Sequence, residues 1–348
     1  MKHKKIYIIL AFCATLLYAA CRPDPSFDVK TVVNEDISFS IPQGWPMPVY
    51  NFEDNTLTNA GFQLGRKLFY DNRLSRDNST SCGSCHQAGA AFAHAEHDIS
   101  HGVDGKVGTR NSPPIFNMNW HTSYFWDGGV NHLESQPINP IQNPVEMDET
   151  IPGIIAKIKD DADYKAKFKA AWGDEAMNSQ RIFKALAQFM GAMVSANSKY
   201  DKYTRGETTL TAAEMSGLNI YNTHCATCHT APLFTSFDIV NNGLKPNDFN
   251  DSGRAVITKL AQDLYKFKIP SLRNLQYTAP YMHDGRFNTL NQVLNHYAKT
   301  IYVSPTLDAR LANGIQLTDA EKADLLSFLS TLNDESFIRD TRFYEPSN

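Results

Sequence analysis

The strings Cys82-Gly83-Ser84-Cys85-His86 and Cys225-Ala226-Thr227-Cys228-His229 share the form Cys-Xaa-Xaa-Cys-His. That spacing is the attachment signal of c-type haem. The thiols add to the haem vinyl groups, and the adjacent imidazole takes the iron from the proximal side. Two copies predict two covalent haems held by Cys82, Cys85, Cys225 and Cys228, with His86 and His229 on the irons. The chemistry expected of such a chain is one-electron transfer, supplied by the cofactor and tuned by the protein. A zinc ribbon also uses paired Cys-Xaa-Xaa-Cys knuckles but does not require a His after each. A thioredoxin-like pair needs one motif in a βαβ setting. A disulfide framework would place more cysteines in a shorter chain.

The elements that position these motifs are mostly helical. Ala60 to Tyr70 carries Phe62, Leu64, Leu68 and Phe69 at helical spacing and leads into the first motif. Thr211-Ala212-Ala213-Glu214 is a capping box that starts a helix through Leu218 and Tyr221 into the second motif. A helix followed closely by Cys-Xaa-Xaa-Cys-His is how a cytochrome c fold begins, so an internal duplication is expected. Ser179 to Tyr200 reads as one helix with an apolar face through Ile182, Leu186, Phe189 and Val194. Thr289 to Gln292 and Thr318 to Glu321 are further capping boxes, the latter ahead of Leu325, Leu326 and Leu329. The Gly- and Pro-rich stretches 87–115 and 230–288 are long for loops, and haem supplies the surface they would pack on.

The chain has 348 residues, enough for two modest cores, and a net charge of −4 that gives no sign of a nucleic-acid partner. Residues 1–20 read as a signal peptide: Lys2, Lys4 and Lys5 precede an apolar run from Ile6 to Ala20 that is short for a membrane span. The run ends Leu17-Tyr18-Ala19-Ala20-Cys21, which resembles a bacterial lipoprotein site with Cys21 lipidated. Tyr18 fits that pattern poorly, and ordinary cleavage after Ala20 is the alternative. Cys13 leaves with the signal. Either route exports the chain to the periplasm, with any membrane attachment made through the lipid. Residues 21–50 form a tether and lead-in, 51–204 an N-terminal haem domain and 205–348 a C-terminal haem domain.

Read together, the motifs resemble those of the bacterial dihaem cytochrome c peroxidases, a family that includes MauG. The resemblance runs from about residue 58 to 332. It is carried by Leu64-Gly65-Arg66-Lys67-Leu68-Phe69, Arg110-Asn111-Ser112-Pro113, Phe125-Trp126-Asp127-Gly128, Asn143-Pro144-Val145-Glu146-Met147, Pro270-Ser271-Leu272-Arg273-Asn274 and Thr278-Ala279-Pro280-Tyr281-Met282-His283-Asp284-Gly285. It implies that the N-terminal haem is the peroxide site, with Glu146 as distal acid–base residue and Gln136 as a nearby amide. A carboxylate can shuttle the proton between the two peroxide oxygens, and an amide can orient peroxide and stabilise developing charge. Outside its string Glu146 would read as a solvated carboxylate.

The resemblance also places Trp126 between the haems in electron transfer, a role compatible with a packed core tryptophan. Asn111, Thr278 and Pro280 match positions that hold a calcium ion, which accepts carbonyl oxygens. On the second haem the axial ligand opposite His229 falls on Tyr297, as in MauG-like members, with Met282 the rival. Periodicity puts Leu290, Val293, Leu294 and Tyr297 on one helix face and His296 well away from it. His94, His97 and His101 occupy the loop where ordinary members carry a removable distal His. His101 is nearest in position, although its spacing to Asn111 is longer, and it reads equally as a gate ligand or a loop histidine.

The leading expectation is a peroxidase that reduces hydrogen peroxide to water with electrons from a small cytochrome or cupredoxin. A MauG-like oxidase of aromatic residues on a partner protein and a non-enzymatic dihaem carrier are the alternatives. Members of the family often form homodimers, but no interface is legible in this sequence.

Overall fold

The computed structural model describes residues 37–346. The expected signal segment, with Cys13, and the lipidation candidate Cys21 lie outside the described residues. Helices dominate, as expected: α1 Asn59–Tyr70, α2 Cys82–Cys85, α3 Ile138–Gln142, α4 Ile151–Ile158, α5 Ala162–Trp172, α6 Ser179–Gly191, α7 Lys199–Thr204, α8 Ala212–His224, α9 Ala255–Thr258, α10 Leu290–Lys299, α11 Asp319–Ser330 and α12 Glu335–Ile338. Two short strands, β1 Ile239–Val240 and β2 Phe267–Lys268, pair antiparallel with Ile239 opposite Lys268. Among the described residues no helix is long and apolar enough to cross a membrane.

The helix before each haem motif packs the same way. The Thr58 hydroxyl caps α1 by accepting from Gly61 N, and α1 buries Phe62, Leu64, Leu68 and Phe69 against α6. A Cβ on Gly65 would lie 2.0 Å from the Ala185 carbonyl oxygen of α6. The reciprocal Thr211–Glu214 capping box starts α8, which packs on α11. There a Cβ on Gly217 would lie 2.0 Å from the Asp324 carbonyl oxygen. Only glycine permits backbones to approach this closely. The Thr289 and Thr318 capping boxes form as read from sequence.

The apolar core divides accordingly. One cluster gathers Phe62, Phe69, Leu186 and Phe189 around α1 and α6, and the chain end returns to it through Phe337, Ile338 and Phe343. The other gathers Tyr221, Phe234, Leu325 and Phe328 around α8 and α11. Each fully buried Leu or Phe contributes about 1.5–3 kcal/mol.

The expected helix Ser179 to Tyr200 is interrupted. It stops at Gly191, whose missing Cβ admits Phe52 and Asn119. The backbone then turns out to pair with other loops: Met193 O accepts from Asn117 N at 2.8 Å, and Ser195 N donates to Asn117 Oδ1 at 2.8 Å. A new helix, α7, starts under a Ser198–Asp201 capping box. Buried backbone groups satisfied by a side chain have outcompeted continued helix.

The long loops repeat as well. Asn117 and Asn274 both have positive φ, and each sends its backbone N–H to the turn after a core helix, Met193 O and Leu332 O respectively. Seven residues later in each loop an antiparallel bridge closes a tight hairpin, Tyr124 with Val130 and Tyr281 with Phe287. Phe125 and Gly128 in the first hairpin, and Met282 and Gly285 in the second, again share positive φ.

Candidate haem sites

The four motif cysteines are half-buried, and none of them joins a disulfide. At the first motif, His86 Nδ1 lies 2.8 Å from the Phe92 carbonyl oxygen, which leaves Nε2 for a metal. Burial pulls this imidazole below its ordinary value, against the pull of that carbonyl, so it is held neutral, the form that binds iron. A cavity opens in front of it, lined by Cys82, Cys85, His86, Gln136, Pro140, Glu146 and Met147. A second cavity adjoins it and shares His86, Ile115 and Gln136. Thiols and a neutral imidazole beside a largely apolar hollow are the donor set a covalent haem requires, and the residues present fit that group.

The structure brings Glu146 and Gln136 together on this first cavity. Glu146 sits in the turn Asn143–Asp148, where Asn143 Nδ2 donates to its Oε1 at 2.8 Å and its backbone N–H reaches Asn143 O. Burial raises the Glu146 carboxyl above its ordinary value, and the Asn143 amide opposes the rise. A buried carboxyl raised in this way beside a cavity is a candidate acid–base group. Gln136 is buried at the boundary of both cavities. Pro140, which sequence reasoning missed, lines the same cavity.

His101 lies at the rim. It bridges to Val107, its carbonyl accepts a contact from Cys85 Sγ at 3.4 Å, and its ring stands edge-on to His97 at 5.0 Å. His94 stacks on His97 at 4.1 Å, and burial with its two His neighbours lowers His94 to about 4.

Trp126 occupies the hairpin Tyr124–Val130. Its indole Nε1 donates to Asn111 O at 2.8 Å, and its carbonyl accepts from Lys268 N at 2.7 Å. Asn111 N in turn donates to His283 O, and its side-chain amide donates to His97 O at 2.9 Å. Thr278 and Pro280 are buried at the start of the hairpin that carries His283. Among the described residues no group of three or more His, Cys, Asp or Glu is placed to hold a metal ion. A cation beside Asn111 would therefore depend on amide and carbonyl oxygens, a set acceptable to Ca²⁺.

At the second motif, His229 Nδ1 lies 3.1 Å from Pro270 O and 3.3 Å from Phe234 O, and burial lowers it to about 4. Tyr297 reaches this motif from α10. Burial pushes its phenol up to about 12 while a hydrogen bond from Asn242 opposes the rise, and the Cys225 and Cys228 thiols lie close enough to act on it. Asn242 Nδ2 also contacts Met282 Sδ at 3.6 Å, so both rival ligands meet one amide. Asn242 was not legible in the sequence, because a loop far from α10 delivers it. His296 is the most buried residue of α10, 3 % exposed with its ring spanning Thr300 Oγ1 and Asn242 O, while Leu290, Val293, Leu294 and Tyr297 are half-buried.

Comparison with known proteins identifies the family. The Di-haem cytochrome c peroxidase family matches residues 59–209. The methylamine utilization protein MauG of Methylorubrum extorquens is 32% identical over 307 residues, which span 85% of this chain and 84% of that protein. The cytochrome c551 peroxidase of Nitrosomonas europaea is 30% identical over 86% of this chain and 88% of its own. A crystal structure of a MauG-like protein associated with microbial copper homeostasis superposes with a TM-score of 0.80 at 34% identity, covering 89% of this chain and 99% of that one. On the coverage and identity of these relatives, and on two haem motifs each backed by a neutral proximal imidazole, the chain belongs to the dihaem cytochrome c peroxidase family that includes MauG.

Proposed function

We propose that this protein is an exported dihaem peroxidase, which reduces hydrogen peroxide to water with two electrons and two protons, the electrons coming from a small redox protein. The observation that carries this reading is the meeting of Glu146 and Gln136 on the cavity in front of His86. When bound, the haems supply the one-electron steps. Glu146, held by Asn143, moves a proton at its carboxylate from one peroxide oxygen to the other. Gln136 orients peroxide and meets the charge that develops on the departing oxygen. His86 and His229 are kept neutral by burial and oriented by the carbonyls on their Nδ1 atoms. Trp126 links the two halves, on the path from an electron-accepting C-terminal domain (205–348) to the peroxide-reducing domain (51–204). Asn111, Thr278 and Pro280 hold one Ca²⁺ between them.

The test is hydrogen-peroxide-dependent oxidation of a reduced cytochrome c by the holoenzyme. Rapid turnover that collapses in Glu146→Gln supports the reading; turnover unchanged in that variant removes it. The same assay before and after one-electron reduction reads the role of His101. A need for prior reduction assigns it as a gate ligand, and full activity as isolated assigns it to the loop.

One observation favours a second reading. Tyr297 lies close enough to act with the Cys225 and Cys228 thiols, and a phenolate donor stabilises oxidised iron more than a thioether does. On that reading the protein is a MauG-like oxidase of aromatic side chains on a partner. Negligible cytochrome oxidation, together with covalent change in a co-purifying protein, would favour it.

A further inference from the structure

Lys268 lies in β2, which belongs to the second half of the chain, and its side chain enters a cavity that residues of both halves line. It is 8% exposed and lines the second cavity together with His86, His121 and Trp126. Its Nζ donates to Ser123 O at 2.7 Å and approaches His121 Nδ1 at 3.1 Å. Among the described residues no carboxylate forms an ion pair with it: neighbouring Asp127 is engaged by Arg110 at 2.6 Å. A buried ammonium with only neutral partners is a costly arrangement unless an anion joins it. Burial alone pulls it down to about 7, against the opposing pull of Asp127.

The covalent chemistry of the site says which anion. Thioethers fix the vinyl edge of a haem at Cys82 and Cys85, and both line the first cavity. Propionates leave the opposite edge of the macrocycle. The second cavity adjoins the first through His86, Ile115 and Gln136, contains neither cysteine, and holds Lys268.

We propose that Lys268, held by Ser123 and steadied by His121, is the site that receives a propionate carboxylate of the N-terminal haem. This rests on the dihaem reading above. Lys268 is then a positioning residue. Its backbone N–H fixes the Trp126 carbonyl, while its ammonium fixes the haem edge nearest that tryptophan. Its charge also favours the reduced iron, because a nearby cation stabilises the state that carries one more electron.

The test uses holoenzyme carrying Lys268→Met, Lys268→Gln or Lys268→Arg. Haem is counted per chain, and the reduction potential of each haem is measured. With two haems retained, Met and Gln are expected to shift the N-terminal haem toward Fe(III) by about tenfold, which is 59 mV for a one-electron couple. The C-terminal haem is expected to stay within a small fraction of that, and Arg to stay near wild type. Unchanged potentials in Met and Gln, with both haems present, would overturn the proposal. So would an Arg variant displaced as far as Met, since volume rather than charge would then be responsible. Wild-type protein without two covalent haems would remove the dihaem reading itself, an outcome the haem count separates from the others.

Discussion

Glu146 stands between two opposing influences, burial that raises its carboxyl and the Asn143 amide that lowers it. Replacing it with Gln keeps the shape and removes the proton shuttle. We expect kcat/KM for peroxide to fall about 10²–10⁴-fold, the usual worth of a placed acid–base group. The sign of the pH dependence follows from its role as the first proton acceptor. Activity should rise with pH as the carboxyl loses its proton, along a limb set above the ordinary glutamate range. Asn143→Ala removes the lowering influence, so the limb is expected to move to higher pH. A pH profile of kcat/KM checks this, and a limb that moves down would contradict the assignment. The string around Glu146 made it legible in the sequence. Lys268 and Asn242 were not legible, because neither neighbours in the chain the group it serves.

Among the elements, the two crossings α1 on α6 and α8 on α11 carry the haem motifs. Gly65→Ala and Gly217→Ala each push a methyl into a carbonyl at 2.0 Å. Backbone cannot yield as a side chain does, so each is expected to cost about 1–3 kcal/mol, read from the denaturation midpoint of holoprotein. Near α7, Asp201 is paired in both oxygens with Arg273, at 2.8 and 2.7 Å, and the two side chains are 5% and 0% exposed. Burial acts to raise Asp201, but Arg273 and Ser198 outweigh it and hold the carboxyl below its ordinary value. Asp201→Ala strands the guanidinium and is expected to cost about 3–5 kcal/mol. Because the folded value is depressed, the stability contributed by Asp201 is present above its unfolded value. It is lost as pH falls through the folded one. Urea midpoints measured across the acid range should therefore fall less steeply in the variant than in wild type. The helices and their caps were legible because periodicity and capping boxes are local signals. The break after Gly191 was not, since its cause is Asn117, in a loop the chain reaches long before α6.

Across the whole molecule, the two halves meet through a pair of matched contacts. Asn111 N donates to His283 O, and Lys268 N donates to Trp126 O, both at 2.7 Å. The loops run in constant register through the paired asparagines Asn117 and Asn274 and the bridges Tyr124–Val130 and Tyr281–Phe287. That register sets Asn111 against Lys268, His121 against Thr278 and Ser123 against Pro280. On one side a tethered ammonium rests on Ser123 O. On the other, the corresponding position is the neutral carboxamide of Asn111, whose Nδ2 donates to His97 O, so a cation proposed there would come from outside the chain. This is a physical reason for a cation at Asn111 that no acidic cluster could have signalled in the sequence. Arg110 reinforces the same junction, bonding Asp127 at 2.6 Å and Asp251 at 2.5 and 2.9 Å. If Ca²⁺ binds there as proposed, its removal should loosen the Asn111–His283 contact and, through the indole bond to Asn111 O, the setting of Trp126. We expect chelated holoenzyme, reduced by one electron, to equilibrate that electron between its haems at least several-fold more slowly. Added Ca²⁺ should restore the rate. Mg²⁺ should not, because it demands shorter bonds and near-ideal octahedral geometry and gives up its waters reluctantly. Stopped-flow absorbance of the two haems measures the rate. Equal rates before and after metal loss, with that loss verified by elemental analysis, would mean that the Lys268 and Arg110 contacts hold the junction without a bound ion.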